Sequence, residues 1–395
     1  MKIVIYGGFT KRKHGVSRVI QELVRSLLHQ KDVDVLTIIT PHGEDFVDDS
    51  ILMDERVSVH SLVGVHNFLN LRQFVKALKA NVLRIIHLYK HNDIFLLCYL
   101  PSGKEFAHIH IGGILFTLIL SKWGFLPKAK TIQMLYDFIP YLFPEEDAGG
   151  ISTKLFNTYK KYFSAIPERY VAISESTKND AIRCWNLSAD RIAVIYLGSF
   201  IAPKSPRADF GSRQILVVSD IAPHKNHIRL LKAFELVYGN DCEQAELLIV
   251  GHERIVDPQF RSTLTDIRKR NKRIKITECG YRTDAEILAL YEQVDIFVYP
   301  SLYEGFGLPV LEAMACGCPV ITSNISSLPE VVGEAGMLIN PYDVEELARA
   351  IITVLGDDEM KKDMSRRSIM QAQKFSWEKA GKQCLEVCNE VLREE

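Results

Sequence analysis

Short apolar runs rich in β-branched residues recur along the chain, each followed by a longer stretch of helical periodicity, and this alternation limits the fold more than any other feature. KIVIY (2–6), VDVLTII (33–39), DIFLLCYL (93–100), AHIHI (107–111), KTIQMLY (130–136), RYVAIS (169–174) and RIAVIYL (191–197) form one series. QILVVS (214–219), ELLIV (246–250), RIKIT (273–277), VDIFVYP (294–300) and CPVITS (318–323) form a second. Runs apolar on both faces and separated by helices predict parallel sheets covered on both sides. The register breaks at SFIAPKSPRADFGSR (199–213), where prolines, a glycine and mixed charges predict a linker. Two doubly wound domains facing a central cleft are therefore expected, and 395 residues suit two domains of about 100–200 each. Ligands of such sheets bind beyond the carboxyl ends of the strands.

Bulk chemistry narrows the partners. A net charge of −1 argues against general nucleic-acid binding, which needs a strongly basic surface. The opening MKIVIYGG enters a strand-like run at once, unlike a secretory leader. The apolar window IGGILFTLIL (111–120) is about half the roughly 20 residues of a spanning helix and reads as a buried helix start. The eight cysteines contain no C-x-x-C; Cys316 and Cys318 approach a strand, and Cys384 and Cys388 sit one helical turn apart. Buried reduced thiols and a cytoplasmic location follow from that usage.

The stretch SLYEGFGLPVLEAMACGCPVITS (301–323) places Glu304 in a loop after the VDIFVYP strand and Glu312 in the first turn of a helix with Pro309 at its first position. Gly317 is expected to end that helix. One reading is structural: Glu312 complements the helix dipole and the glycines permit a turn. The other is chemical. Carboxylates repel phosphate, but an ionised carboxylate accepts two hydrogen bonds from a vicinal diol. Amides of a glycine loop and a helix N-terminus bind pyrophosphate oxygens. Diol, pyrophosphate, diol describes a nucleotide sugar.

EGFGLPVLEAMACGCPV (304–320) and SNISSLPEVVGEAGMLINPYDVEELARAI (323–351) resemble the donor-binding region of family 4 retaining glycosyltransferases of the GT-B fold, whose pattern sets two glutamates with seven residues between them. GVSRVIQELVRSL (15–27), YDFIPYLFPE (136–145), AISESTKND (172–180), APHKNHIRLLKAF (222–234) and FSWEKAG (375–381) fall in that family's order, so the resemblance spans essentially the whole chain. It implies two Rossmann-like domains: residues 1–200 for the acceptor, with a terminal helix 376–395 returning to them, and residues 201–375 for the donor. It also implies that Glu304 meets the transferred sugar and Glu312 the ribose. Gly305, Phe306, Gly307 and Leu308 would offer backbone amides, and Lys225 would neutralise the leaving diphosphate. Read alone, Lys225 is equally a solvated loop charge. Gly15, Tyr136 and His224 join the implied donor site, and Asp137 joins Lys225 and Glu304 among the implied catalytic residues. No cofactor or metal is implied beyond the donor itself, GDP-mannose first and a UDP-hexose next.

The chain departs from the family at several positions. His224 replaces an arginine, Ser219 and Asp220 replace a glycine-arginine pair, and Tyr136 stands where many relatives have histidine. Arg18 and Arg282 are candidates for the missing cation. The loop YGGFTKRKHGVSR leads into a helix near Val16 with Gly15 at its cap. Its charges Lys11, Arg12 and Lys13 read as a solvated loop or as a cleft-mouth patch. Residues 67–92 carry Arg72, Lys76, Lys79, Arg84 and Lys90 without an acidic residue. That segment is either a core helix with a basic back or a contact to the inner membrane face. Asp32-Val-Asp34 precedes its strand, His108 and His110 lack a third ligand, and GGISTK (149–154) lacks the P-loop spacing, so none of them makes a metal or nucleotide site.

The function expected is transfer of a hexose from a nucleotide diphosphate sugar to a hydroxyl acceptor (glycan, lipid-linked or protein) in glycan or surface-polysaccharide synthesis. A GT-B nucleotide-sugar epimerase, a phosphorylase and a catalytically dead binding protein are the rivals. Nucleotide release, sugar isomerisation, nucleotide-free release of sugar phosphate, or binding without turnover separates them.

Overall fold

A computed structural model of the chain describes residues 1–7, 15–40, 47–61, 94–98, 130–146, 157, 160, 167–239, 244–252 and 257–394. The Lys11–Lys13 charges, the basic segment 67–92, the histidine pair at 108 and 110, the apolar window 111–120 and the stretch 149–154 lie outside the described residues. The chain divides into two compact units: Met1–Gly198 together with Trp377–Glu395, and Ser199–Ser376.

The first unit is built on a parallel sheet of β1 (Lys2–Gly7), β2 (Val35–Thr40), β3 (Val57–Ser61), β4 (Ile94–Cys98), β5 (Lys130–Leu135), β6 (Arg169–Ala172) and β7 (Ile192–Val194). Its order is β3-β2-β1-β4-β5-β6-β7. The described helices are α1 (Gly15–Leu28), α2 (Asp49–Leu52), α3 (Ile139–Leu142), α4 (Glu175–Trp185) and, from the end of the chain, α12 (Trp377–Arg393). Helix α1 therefore includes Gly15 as its first residue, one position earlier than its sequence suggests. Val19, Ile20, Leu23, Val24 and Leu27, spaced to line one face of α1, are all buried. Ser174 caps α4 by accepting from Thr177 N at 3.0 Å, and the left-handed Asn186 ends it. Helix α12 lies against α1 so closely that Ser26 Oγ donates to the Trp377 carbonyl at 2.6 Å. A Cβ on Gly381 would overlap Ser26.

The second unit has β8 (Gln214–Val218), β9 (Glu246–Val250), β10 (Lys275–Gly280), β11 (Ile296–Tyr299), β12 (Val320–Ser323) and β13 (Met337–Ile339), all parallel in the order β10-β9-β8-β11-β12-β13. Its helices are α5 (His227–Gly239), α6 (Pro258–Arg270), α7 (Asp284–Gln293), α8 (Leu308–Ala315), α9 (Leu328–Val332), α10 (Val344–Gly356) and α11 (Asp358–Ala372). β11 and β12 are buried along their whole length, which is why they read as unbroken apolar runs. Thr283 and Glu286 form a capping box at the start of α7. The stretch read as a linker begins at the boundary between the units, and its far end is tied down by the second. Asp295, fully buried, accepts from the backbone amides of Gly211, Ser212 and Arg213 at 3.0–3.2 Å and from the buried Lys361 Nζ at 3.3 Å. Among the described residues no helix is long and apolar enough to cross a membrane.

Candidate active site

The strand order of the second unit reverses between β8 and β11. From β8 the chain moves outward to β9, and from β11 it moves the other way to β12. Loops leaving the carboxyl ends of two such neighbours diverge and leave a crevice between them, the usual ligand site of an open α/β sheet. Residues 219–226 follow β8, and residues 300–307 follow β11.

Side chains and backbone join the two loops. Pro223–Lys225 forms a single 3-10 turn, closed by Asn226 in the left-handed conformation at φ 63°. The Asn226 carboxamide nitrogen donates to the carbonyls of Pro300 at 2.9 Å and Pro341 at 2.8 Å. Leu302 N donates to the His224 carbonyl at 2.7 Å. Held this way, Lys225 directs its Nζ to Glu304 Oε1 at 2.6 Å and to Tyr299 Oη at 3.1 Å. The reading of Lys225 as a solvated surface charge is overturned, since only 15% of its side chain is exposed.

Charge fixes the protonation states. Burial works against the Glu304 carboxylate, but the neighbouring Lys225 ammonium and His224 outweigh it and hold its pKa below the ordinary value. Burial likewise opposes the Lys225 ammonium, yet Glu304 keeps it protonated far into the alkaline range. The Tyr299 phenol is buried beside Glu304 and stays neutral for both reasons. Burial, together with the charges of Lys225 and His224, pushes the His227 imidazole down to about 3. His227 is thus a neutral partner for Ser219 Oγ, 3.2 Å from its Nε2.

The Glu304 loop is shaped from behind by two serines of the loop after β12. Ser326 Oγ donates to the Glu304 carbonyl at 2.6 Å, and Ser327 Oγ donates to the carbonyls of Glu304 at 3.0 Å and Phe306 at 2.8 Å. Phe306 packs edge-on against Phe375, with ring centroids 5.8 Å apart. Gly307, at φ 109°, caps α8, a conformation that strains any residue with a Cβ. Val310 N and Leu311 N donate to the Gly307 carbonyl at 3.0 and 3.2 Å and Pro309 has no N–H, so in the first turn of α8 the Leu308 amide remains to mark the positive end of the helix dipole. Because α8 begins at Leu308, Pro309 is its second residue and Glu312 its fifth, so Glu312 lies past the first turn where it was expected. Its carboxylate accepts from Tyr291 Oη at 3.4 Å. Gly317, at φ 69°, ends the helix as expected, with Cys318 N donating to Ala313 O at 3.0 Å.

The structure thus brings Lys225, His224, Glu304 and the 305–308 segment together, with Glu312 half-buried one turn along α8. Gly15, Tyr136 and Asp137 belong to the first unit. There Tyr136 is buried at the end of β5 and its carbonyl accepts from Thr177 Oγ1 at 3.3 Å, so two of the motif loops of that unit meet. Asp137 Oδ1 accepts from Ile139 N at 3.0 Å. At the positions of the absent glycine-arginine pair, Asp220 Oδ1 accepts from His252 N at 3.4 Å, and neither residue there supplies a cation. Arg282 is exposed and donates to the Tyr281 carbonyl at 3.0 Å. Four site residues escaped the sequence reading. Asn226 followed Lys225 in a quoted motif, Ser326 and Ser327 lay in another, and Tyr299 was taken as part of a strand. A phenol at the end of an otherwise apolar buried run was the signal available.

This sheet order, with paired loops at its reversal, is that of a doubly wound Rossmann-like domain. Residues 201–371, nearly all of the second unit, match the family model described as glycosyl transferases group 1. Among relatives, the O-antigen chain mannosyltransferase B of Escherichia coli is 36% identical over 220 residues, which are 53% of this chain and 57% of that protein. The serotype-specific mannosyltransferase WbdA of Escherichia coli is 29% identical over 264 residues, 63% of this chain and 32% of that protein. The chain therefore spans just over half the length of one of these relatives and about a third of the other. Among solved structures, Anabaena Alr3699/HepE in complex with UDP-glucose superposes with a TM-score of 0.69 at 18% identity, over 99% of this chain and 100% of that one. That likeness covers both units and shows the fold of the chain, GT-B.

Proposed function

We propose that this protein is a retaining, metal-independent hexosyltransferase that moves a sugar from a nucleotide diphosphate donor to a hydroxyl acceptor in surface-polysaccharide synthesis. The observation that carries the reading is the Lys225–Glu304 pair, Nζ to Oε1 at 2.6 Å, at the sheet reversal and beside the amino end of α8. In the reaction proposed, the bond from the sugar's anomeric carbon to the diphosphate oxygen breaks and the acceptor oxygen bonds to the same face. The acceptor proton passes to the departing diphosphate. Charge therefore develops on the diphosphate, where the Lys225 ammonium and the α8 amides neutralise it without a metal. Glu304 takes hydroxyls of the sugar and Glu312 those of the ribose.

Mannose is favoured because the Escherichia coli relatives are named mannosyltransferases, which makes GDP-mannose the first donor to test. UDP-glucose is next, since it is the ligand of the HepE structure. Both donors are supplied with candidate acceptors in the presence and absence of EDTA, following nucleotide release and the anomeric configuration of the product by NMR. Release of GDP or UDP, unchanged by EDTA, with an anomer matching the donor's supports the proposal. An inverted product removes the retaining mechanism, loss of turnover in EDTA removes metal independence, and no nucleotide release or binding removes the function.

The proposal extends to the place of action, the inner face of a membrane reached through Arg72, Lys76 and Lys79 of the basic segment. Each such cation contributes about 1 kcal/mol at an anionic surface and loses it with added salt. Sedimentation with anionic vesicles at low salt tests this, and its absence favours a soluble acceptor.

A further inference from the structure

Lys225 has three N–H donors, and its two acceptors in the second unit differ in kind. Glu304 is an ion-pair partner at 2.6 Å, whereas Tyr299 is a neutral phenol at 3.1 Å whose ring also lies 5.5 Å from Nζ. If Glu304 serves the sugar, as in the function proposed above and on which this inference rests, its carboxylate must turn part of its hydrogen bonding from Lys225 to the sugar hydroxyls. An ammonium on a four-carbon stem would then be free to follow the carboxylate or the diphosphate.

We propose that Tyr299 is a positioning residue that holds the Lys225 ammonium in place during this exchange. Its phenol oxygen does not move with the ligand. Tyr299 is the last residue of β11 and only 1% exposed. Its ring is stacked on Phe297 at 5.7 Å, and its carbonyl accepts from Thr322 Oγ1 at 2.7 Å. Glu304 also bears on the hydroxyl, so one fixed phenol faces both members of the pair. The ammonium keeps a protein acceptor whichever way Glu304 turns, and the remaining N–H is directed to the diphosphate when the leaving charge forms. A contact that matters most in the transition state lowers kcat when removed and leaves ground-state binding nearly intact.

The test is Tyr299→Phe, which deletes one oxygen and keeps the packing, with Ile215→Val as a control that loosens the same sheet where β8 pairs with Ile296 at the start of β11, and touches neither Tyr299 nor the ammonium. Steady-state turnover of whichever of GDP-mannose and UDP-glucose the unmodified protein consumes, calorimetric titration with GDP or UDP, and thermal melting are measured on all three proteins. The expected result for Tyr299→Phe is a kcat lower by about tenfold or more, the scale of a lost hydrogen bond to a charged group, with donor KM and nucleotide Kd within about threefold. Ile215→Val lowers the melting temperature and leaves kcat within about threefold. Wild-type kcat in Tyr299→Phe overturns the proposal, and so does an equal fall of kcat in Ile215→Val, which would mark a general loosening of the sheet. If Tyr299→Phe does not fold, site-specific 3-fluorotyrosine keeps the shape and weakens the acceptor, and an unchanged kcat there overturns the proposal equally. An unmodified protein that neither binds GDP or UDP nor consumes either donor refutes the function itself rather than the role of Tyr299.

Discussion

Nζ of Lys225 stands 2.6 Å from Oε1 of Glu304, although 79 positions separate the two in the chain. Both side chains are nearly buried, at 15% and 10% exposure. Taking two charges from water costs several kcal/mol each, and their attraction offsets this only with good geometry and further hydrogen bonds. An apolar pair of the same volume is often no less stable. In the function proposed above, such a pair is a charge arrangement kept for a ligand, with the ammonium meeting a diphosphate and the carboxylate meeting hydroxyls.

Lys225→Ala is expected to lower donor turnover by about 100-fold or more, the effect of losing a preorganised electrostatic stabiliser. It also leaves Glu304 buried without its counter-charge, costing about 3–5 kcal/mol of stability. Adding Glu304→Gln to this variant should recover part of the stability in denaturant melts and none of the turnover. Recovery of turnover in the double variant would rule out a direct role for either residue.

The two glutamates should fail differently. Glu312→Gln weakens GDP or UDP as well as the intact donor, because the ribose is common to both. Glu304→Gln spares the free nucleotide and impairs transfer. Titration calorimetry with the nucleotide alone separates them, and the opposite pattern would exchange their roles.

The pair also sets a pH dependence. Glu304, held below its ordinary 4.5, contributes stability that is fully present above that value and is lost as pH falls through the folded value. Lys225, held above its ordinary 10.5, contributes stability fully present below that value and lost only as pH rises through its higher folded value. The stability difference between the unmodified protein and Glu304→Gln should therefore be flat from about pH 5 to 10 and shrink toward acid. A difference that changes across neutral pH would show that another group governs the pair.

At Gly381 no space remains for a methyl group, because Ser26 of α1 occupies it. Gly381→Ala should destabilise the protein by about 1–3 kcal/mol through overpacking, read as a lower melting temperature. Deleting everything after Phe375 should expose the apolar stripes of α1 and raise binding of a hydrophobic dye. A truncated protein with an unchanged melt would show that α12 contributes nothing to the first unit.

Much of this was legible from residues alone, and the exceptions have physical causes. The central strands β8, β9, β11 and β12 announce themselves as apolar runs because both their faces are covered. The edge strands β3, VSVHS, and β13, MLI, did not, being short and in β3 half polar. Lys225, Glu304 and Glu312 were found through a family pattern, whose spacing survives where geometry is invisible. The Lys225–Glu304 contact was not readable, since only the β8–β11 pairing brings their loops together. Tyr299 stayed hidden inside a strand because a phenol resembles any other aromatic residue until its oxygen is located. Glu312 was placed one position too early in its helix because Pro309 suggested a start that Gly307 and Leu308 already supply.

Helix α12 completes the first unit with residues made after the whole of the second, lying along α1, which is made before it. On the ribosome the order of completion is therefore inverted relative to the usual amino-terminal-first sequence. The second unit has its described strands and helices once residue 376 has emerged, while the first still lacks the helix that packs on α1 at Ser26. Nascent chains arrested before α12 should accordingly be the ones that chaperones recognise, and a stop codon just before α12 should produce a protein with an intact second unit and a sticky, unfinished first.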